Sequence, residues 1–193
     1  TQSVSFTEAY ANYPRCVPSR FSLMTGSYPI QNGNVPDAGF QIKNIAVNKN
    51  FIKSFNKLGY QTAYFGKWHL GDEQSLLDFG FQFSFGAGKA GSPISFFYPF
   101  NVFKGKGKNK KKPIPDIDDI SNQGDYLTDV MTNQTLNYLY ERDLSKPFML
   151  MLSYYAVHQP LEAKQEDVER NSLEIDTIDF GNQPEFIKEG TGR

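Results

Sequence analysis

Residues 148–157, FMLMLSYYAV, form a nearly continuous apolar run. Lys146-Pro147 precedes it and His158-Gln159-Pro160 ends it. A bounded run of this kind predicts a strand buried on both faces, the pattern of a parallel sheet. YQTAYF, residues 60–65, reads as a second short strand, with GKWHLG after it as a loop. Two helical patterns link the strands. Residues 44–58 carry Ile45, Phe51, Ile52, Phe55 and Leu58 at roughly helical spacing, closed by Gly59. Residues 125–142 predict an amphipathic helix with Leu127, Val130, Met131 and Leu139 inward. Earlier in the chain, PSRFSLMTG from Pro18 suits a short helix, with proline in the first turn and Gly26 as the stop. Residues 1–15 read as a strand or loop running into a turn at Tyr13-Pro14. The alternation points to an α/β fold with a mainly parallel sheet flanked by helices.

The remaining stretches are less regular. Residues 79–103 are rich in Phe and Gly without a clear period, which predicts irregular structure with packed aromatics. Residues 104–113 hold six lysines and two glycines, the composition of an exposed loop. Residues 161–193 are polar and poorly periodic, and read as an irregular region. With 39% hydrophobic residues a packed core is expected rather than disorder. The near balance of 20 Lys+Arg against 21 Asp+Glu argues against a nucleic-acid binder. No apolar run reaches the length of a membrane span. Thr1 opens directly into TQSVSFTEAY with no leader pattern, a feature that a mature exported chain would share.

Candidate chemistry gathers at a few residues. The single cysteine, Cys16, excludes an internal disulfide and a two-thiolate zinc site. Cys16 stands just ahead of the Pro18 helix, near unpaired backbone N–H groups and the positive end of the helix dipole. Arg20, about one turn on, can return to the same face with a fork of donors. In an extended segment Lys67 and His69 would point together, which suits an anionic ligand. The two histidines, His69 and His158, each follow a predicted strand, where sites in open parallel sheets lie. Each residue also has a plainer reading: a buried cysteine, a surface arginine, a solvated lysine, a structural histidine. Gly86-Ala87-Gly88-Lys89-Ala90 is not a phosphate loop, because Phe83 and Ala90 stand where Gly and Ser/Thr are needed. Asn133-Gln134-Thr135 is a glycosylation sequon inside a predicted helix and reads as chance.

Taken together, these segments resemble the type I sulfatases of the alkaline phosphatase superfamily. CVPSR followed by FSLMTGSYP is similar to that family's first signature, built on Cys-x-Pro-Ser-Arg. GYQTAYFGKWHLG is similar to its second, and SYYAVHQP to the segment that supplies a further sulfate-binding histidine. FTEAYANYP and YLTDVMTNQTLNYL also look familial, so the resemblance spans roughly residues 1–160. It implies an alkaline phosphatase-like fold and hydrolysis of a sulfate ester. It also implies that Cys16 is oxidised to formylglycine, whose hydrated form attacks sulfur. The second hydroxyl of the diol then expels the sulfate. Arg20 would hold the formylglycine. Lys67 and His69 would contact the diol and the sulfate. His158 would bind the sulfate and protonate the leaving oxygen. A divalent cation, usually calcium, would polarise the sulfate, with modified Cys16 as one ligand.

The resemblance implies a sulfated small molecule or carbohydrate as substrate and is compatible with a periplasmic or secreted location. Family members begin with a strand ending in paired aspartates and carry a later Asp-Asn or Asp-Gln pair. Neither is found here: Asp118-Asp119 follows Pro115 rather than an apolar strand, and Asp176 and Asp179 lack the context. A calcium ion takes about 6–8 oxygen ligands, and only Cys16 is offered. The expectation is a partial catalytic domain, 1–193, lacking both ends of the domain, the remaining metal ligands and activity in isolation. Two alternatives stand beside it. One is a formylglycine-dependent phosphonate or phosphodiester hydrolase. The other is a non-catalytic domain that binds sulfated glycans through the lysines of residues 104–112.

Overall fold

The computed structural model describes residues 4–32, 50–102 and 111–175. They divide into two units, Thr1–Glu162 and Ala163–Arg193.

The first unit contains a three-stranded sheet among its described residues, in the order β2-β1-β3, built from β1 (Gln61–Gly66), β2 (Phe83–Phe85) and β3 (Phe148–Ser153). All pairings are parallel, with Ala63 opposite both Phe83 and Leu150. The helices are α1 (Cys16–Thr25), α2 (Phe51–Lys57), α3 (Glu73–Phe79) and α4 (Leu127–Glu141). This is the expected α/β architecture. Residues 44–49 of the second predicted helix lie outside the described residues, and so does most of the lysine-rich stretch.

The strand buried on both faces is β1, not β3. Its alternating side chains enter two separate cores. Tyr64 joins Phe21, Met24, Ile52, Trp68, Leu76 and Phe81 on one side; Ala63 and Phe65 join Phe96, Phe100, Leu127 and Met131 on the other. β3 runs only over Phe148–Ser153 and is half-buried along most of its length. The reason is position: β1 has a strand on each side, whereas β3 pairs with β1 alone among the described strands. An apolar run reports the capacity to be covered, not the neighbours that cover it.

Further details differ from the sequence reading. Residues 4–15 form no strand. α3 has its own start and stop, with the Asp72 carboxylate accepting from the Ser75 N–H at 3.1 Å and Gly80 closing it. β2 lies within the aromatic stretch, and its three residues are too few to show a period. In α4 Leu127, Val130 and Met131 are buried as expected, but Leu139 is half-buried. Thr135 is buried instead, its hydroxyl donating to the Met131 carbonyl at 2.8 Å. The second unit corrects the irregular reading of residues 161–193: α5 spans Gln165–Ile175. Its stabilisation is local, with Glu166 and Asp167 in the first turn and a hydrogen bond from Gln165 to Glu169 at 2.9 Å. No helix among the described residues is long and apolar enough to cross a membrane.

Candidate active site

α1 begins at Cys16 rather than at Pro18. Arg15 is the extended N-cap residue, and the Ser19 N–H donates to its carbonyl at 3.1 Å. Pro18 is therefore inside the first turn, where its missing N–H costs no helical bond. Gly26 ends the helix in the left-handed conformation, at φ 65°. Cys16 is half-buried at the amino end, where unpaired N–H groups and the helix dipole favour negative charge.

Arg20 comes back to the same region one turn later. Its Nη1 donates to Ser153 Oγ at 2.9 Å and to the carbonyl of Lys67, and lies 3.4 Å from the Tyr64 hydroxyl. The Tyr64 hydroxyl donates to that same Lys67 carbonyl at 2.6 Å. Tyr64 is buried, edge-on to Trp68 and Phe81. Burial raises its pKa against the pull of the Arg20 guanidinium, so the phenol stays neutral and can donate.

Lys67 enters through a sharp bend. Gly66 ends β1 at φ 87°, and the Lys67 N–H donates to the Ser153 carbonyl at 2.8 Å. The Lys67 side chain is 4% exposed. Burial pushes its ammonium below the ordinary lysine range, while the neighbouring Cys16 acts in the opposite direction. Cys16, Arg20, Lys67 and Ser153 line one cavity of about 480 Å³, with Tyr13 and Leu23 on its wall. It lies beyond the carboxyl ends of β1 and β3, where the sheet topology places sites.

The histidines are placed differently. His69 has φ 61°, so the extended alternation expected after β1 stops before it. Its N–H donates to the Gly88 carbonyl at 2.9 Å, and its ring stands over Gly91, where a Cβ would overlap it. His158 is exposed in the turn after β3, with Nδ1 3.1 Å from the Gln159 carbonyl. Neither histidine is among the residues lining the cavity. Sequence reasoning passed over Ser153 and Tyr64. The rule that pointed to Lys67 also covers Ser153, the last residue of a parallel strand.

The residues around Cys16 do not by themselves fit a divalent cation: three of them, Arg15, Arg20 and Lys67, are cationic. Among the described residues no group of three His, Cys, Asp or Glu is placed to hold a metal. Asp118 and Asp119 lie in a 3-10 turn, where Asp118 accepts from the Phe100 N–H at 2.9 Å. Asp176 and Asp179 lie outside the described residues. Lys111 donates to the Pro93 carbonyl at 2.7 Å.

Asp116 carries a separate prediction. Burial, then Glu73, raise its pKa against a hydrogen bond from the Gly86 backbone. The folded state therefore binds this proton more tightly than the unfolded chain does. Stability is lost as pH rises from the unfolded value, about 3.9, through the folded value. At φ 63° asparagine is well tolerated. Asp116→Asn is expected to raise the melting temperature at pH 7 by a few degrees, the gain fading below about pH 4. Thermal denaturation at the two pH values checks it, and an equal gain at both would remove the electrostatic explanation.

Comparison with known proteins bears on the family and the fold. The sulfatase family profile matches residues 1–177. An arylsulfatase of Clostridium perfringens is 28% identical over 84% of this chain and 37% of its own length. An N-acetylglucosamine-6-O-sulfatase of Bacteroides thetaiotaomicron is 30% identical over 82% of this chain and 25% of its own. A solved structure in complex with its substrate, D-glucosamine-2-N,6-O-disulfate, superposes with a TM-score of 0.56 at 23% identity. It covers 93% of this chain, which covers 31% of that one, and it supports the same fold.

Proposed function

The chain belongs to the sulfatase family, and on that premise we propose that it supplies the nucleophile and part of the anion-binding wall of a site that hydrolyses sulfated carbohydrates. The observation that carries the reading is the convergence of Cys16, Arg20, Lys67 and Ser153 on one cavity. Conversion of Cys16 to formylglycine would supply a hydrated aldehyde as nucleophile toward sulfur. The chain's own groups then have definable tasks. Arg20 and Lys67 place two positive charges beside Cys16, where a sulfate would sit. Lys67 is largely withdrawn from water, so its charge acts at lower dielectric and needs little reorganisation as negative charge shifts. Tyr13 and Leu23 give the cavity a less polar wall that suits the ring face of a sugar.

By their motif resemblance, His69 and His158 would contact the sulfate. A divalent cation such as calcium would polarise the sulfate when bound, held by modified Cys16 and by donors that are not among the described residues. The activity is assigned to the complete protein carrying this chain. These 193 residues span only 25–37% of the two curated relatives' lengths. Alone, they are expected to show no saturable, calcium-dependent turnover.

The test compares turnover of an aryl sulfate and an aryl phosphodiester by the complete protein, with mass spectrometry of the peptide containing Cys16. Faster sulfate turnover and an aldehyde in place of the thiol are expected. The same assay on His158→Ala should show a larger loss with an alkyl than with an aryl sulfate, by about 10-fold or more, if His158 protonates the leaving oxygen. An unmodified thiol in fully active protein would remove the formylglycine mechanism. Preference for the phosphodiester would move the substrate class.

A further inference from the structure

We infer that Tyr64 and Ser153 are positioning residues that set the Arg20 guanidinium beside Cys16, Ser153 directly and Tyr64 by fixing the Lys67 carbonyl to which Arg20 donates. The inference rests on the sulfatase reading and deepens it. Arg20 belongs to α1, Tyr64 and Lys67 to β1 and the residue after it, and Ser153 to the end of β3. One compact hydrogen-bonded group therefore ties three elements together at the site. Ser153 Oγ accepts from Arg20 at 2.9 Å, Arg20 Nη1 lies 3.4 Å from the Tyr64 hydroxyl, and that hydroxyl donates to the Lys67 carbonyl at 2.6 Å.

Sequence context supports a specific role for both hydroxyls. Tyr64 is surrounded by Trp68, Phe81 and Phe21, where phenylalanine would fill nearly the same space. A buried phenol is costly unless its hydroxyl is bonded, and here the bond goes to the backbone that carries Lys67. Ser153 is the one hydroxyl residue of β3, FMLMLS, and it stands where the strand meets the cavity. Without these partners, the guanidinium keeps only the Lys67 carbonyl as a named acceptor and the long arginine side chain regains rotamers. Misplacement of a charge by about 1 Å can cost 10²-fold in rate.

The test is a mutant cycle in the complete protein with an aryl sulfate as substrate. Tyr64→Phe/Ser153→Ala is expected to lower kcat by roughly 10- to 100-fold, with a smaller change in KM. Ser153→Thr should retain most of the activity, because it restores the hydroxyl. In an Arg20→Ala background the same pair should cost less than about twofold, since residues acting through Arg20 have nothing left to position. Losses that multiply in that background, or an unchanged kcat in the double variant, overturn the inference. If the double variant does not fold, Ser153→Ala alone, at a half-buried position, carries the same cycle. A wild-type protein without sulfate turnover overturns the sulfatase reading and this inference with it. An active wild type with an unaltered variant overturns the inference alone.

Discussion

Cys16→Ala is expected to remove sulfate ester turnover, by about 10⁴-fold or more, and to leave folding nearly untouched. The two halves of this result have different causes. The cysteine sits at the first position of α1, half-buried and outside both hydrophobic cores. Alanine is well tolerated in a helix, and truncation there opens no core cavity. The chemistry, by contrast, has no substitute nucleophile at that point of the cavity. Cys16→Ser sharpens the test. A serine hydroxyl could attack sulfur once, but its carbon bears no second hydroxyl to expel the sulfate. That variant should retain one sulfuryl group per chain, seen as an added mass on the Cys16 peptide. A Cys16→Ala protein that keeps more than about a tenth of the wild-type rate would exclude Cys16 as the nucleophile.

Gly66→Ala should be the most damaging small substitution for stability. Gly66 has φ 87°, a conformation that costs an alanine about 1–2 kcal/mol. A Cβ there would also overlap the Ser153 carbonyl oxygen and lie 2.9 Å from its carbon. That oxygen accepts the Lys67 N–H at 2.8 Å, so it cannot retreat without opening the junction between β1 and β3. Strain and clash together are expected to cost roughly 3 kcal/mol or more, read from chemical denaturation. The loss should extend to activity, because Lys67 is the next residue. Gly59→Ala is the internal control. It has a similar backbone, φ 81°, and nothing within 4 Å of the added carbon. It should cost only about 1 kcal/mol. Equal losses at the two glycines would show that the approach of Ser153 has no energetic weight.

Legibility of the fold followed the length and regularity of each pattern. α4 repeats its apolar positions over four turns, and its inward residues were readable apart from Leu139. β1 was visible in YQTAYF. α3 and β2 were not found, because one is two turns long and the other has three residues. Local side-chain bonding within α5 was hidden by its polarity. In the site, Cys16, Arg20 and Lys67 were found from charge and helix-terminus chemistry, and they do share a cavity. Ser153 and Tyr64 were missed, since a serine at a strand end and a core tyrosine carry no distinctive spacing.

The sequence by itself determined the fold class, and it pointed to the end of the sheet where Cys16, Arg20 and Lys67 share a cavity and to the positive character of that candidate site. Those follow from local periodicity and from residue types that only certain chemistry needs. The tertiary structure alone decided which strand is central, because burial depends on neighbours remote in the chain. It also decided that Lys67 turns toward Cys16 while His69 turns over Gly91. That separation comes from two backbone conformations, the bend at Gly66 and the left-handed His69. Both are stabilised by bonds to residues 153 and 88, which no local reading of the motif contains.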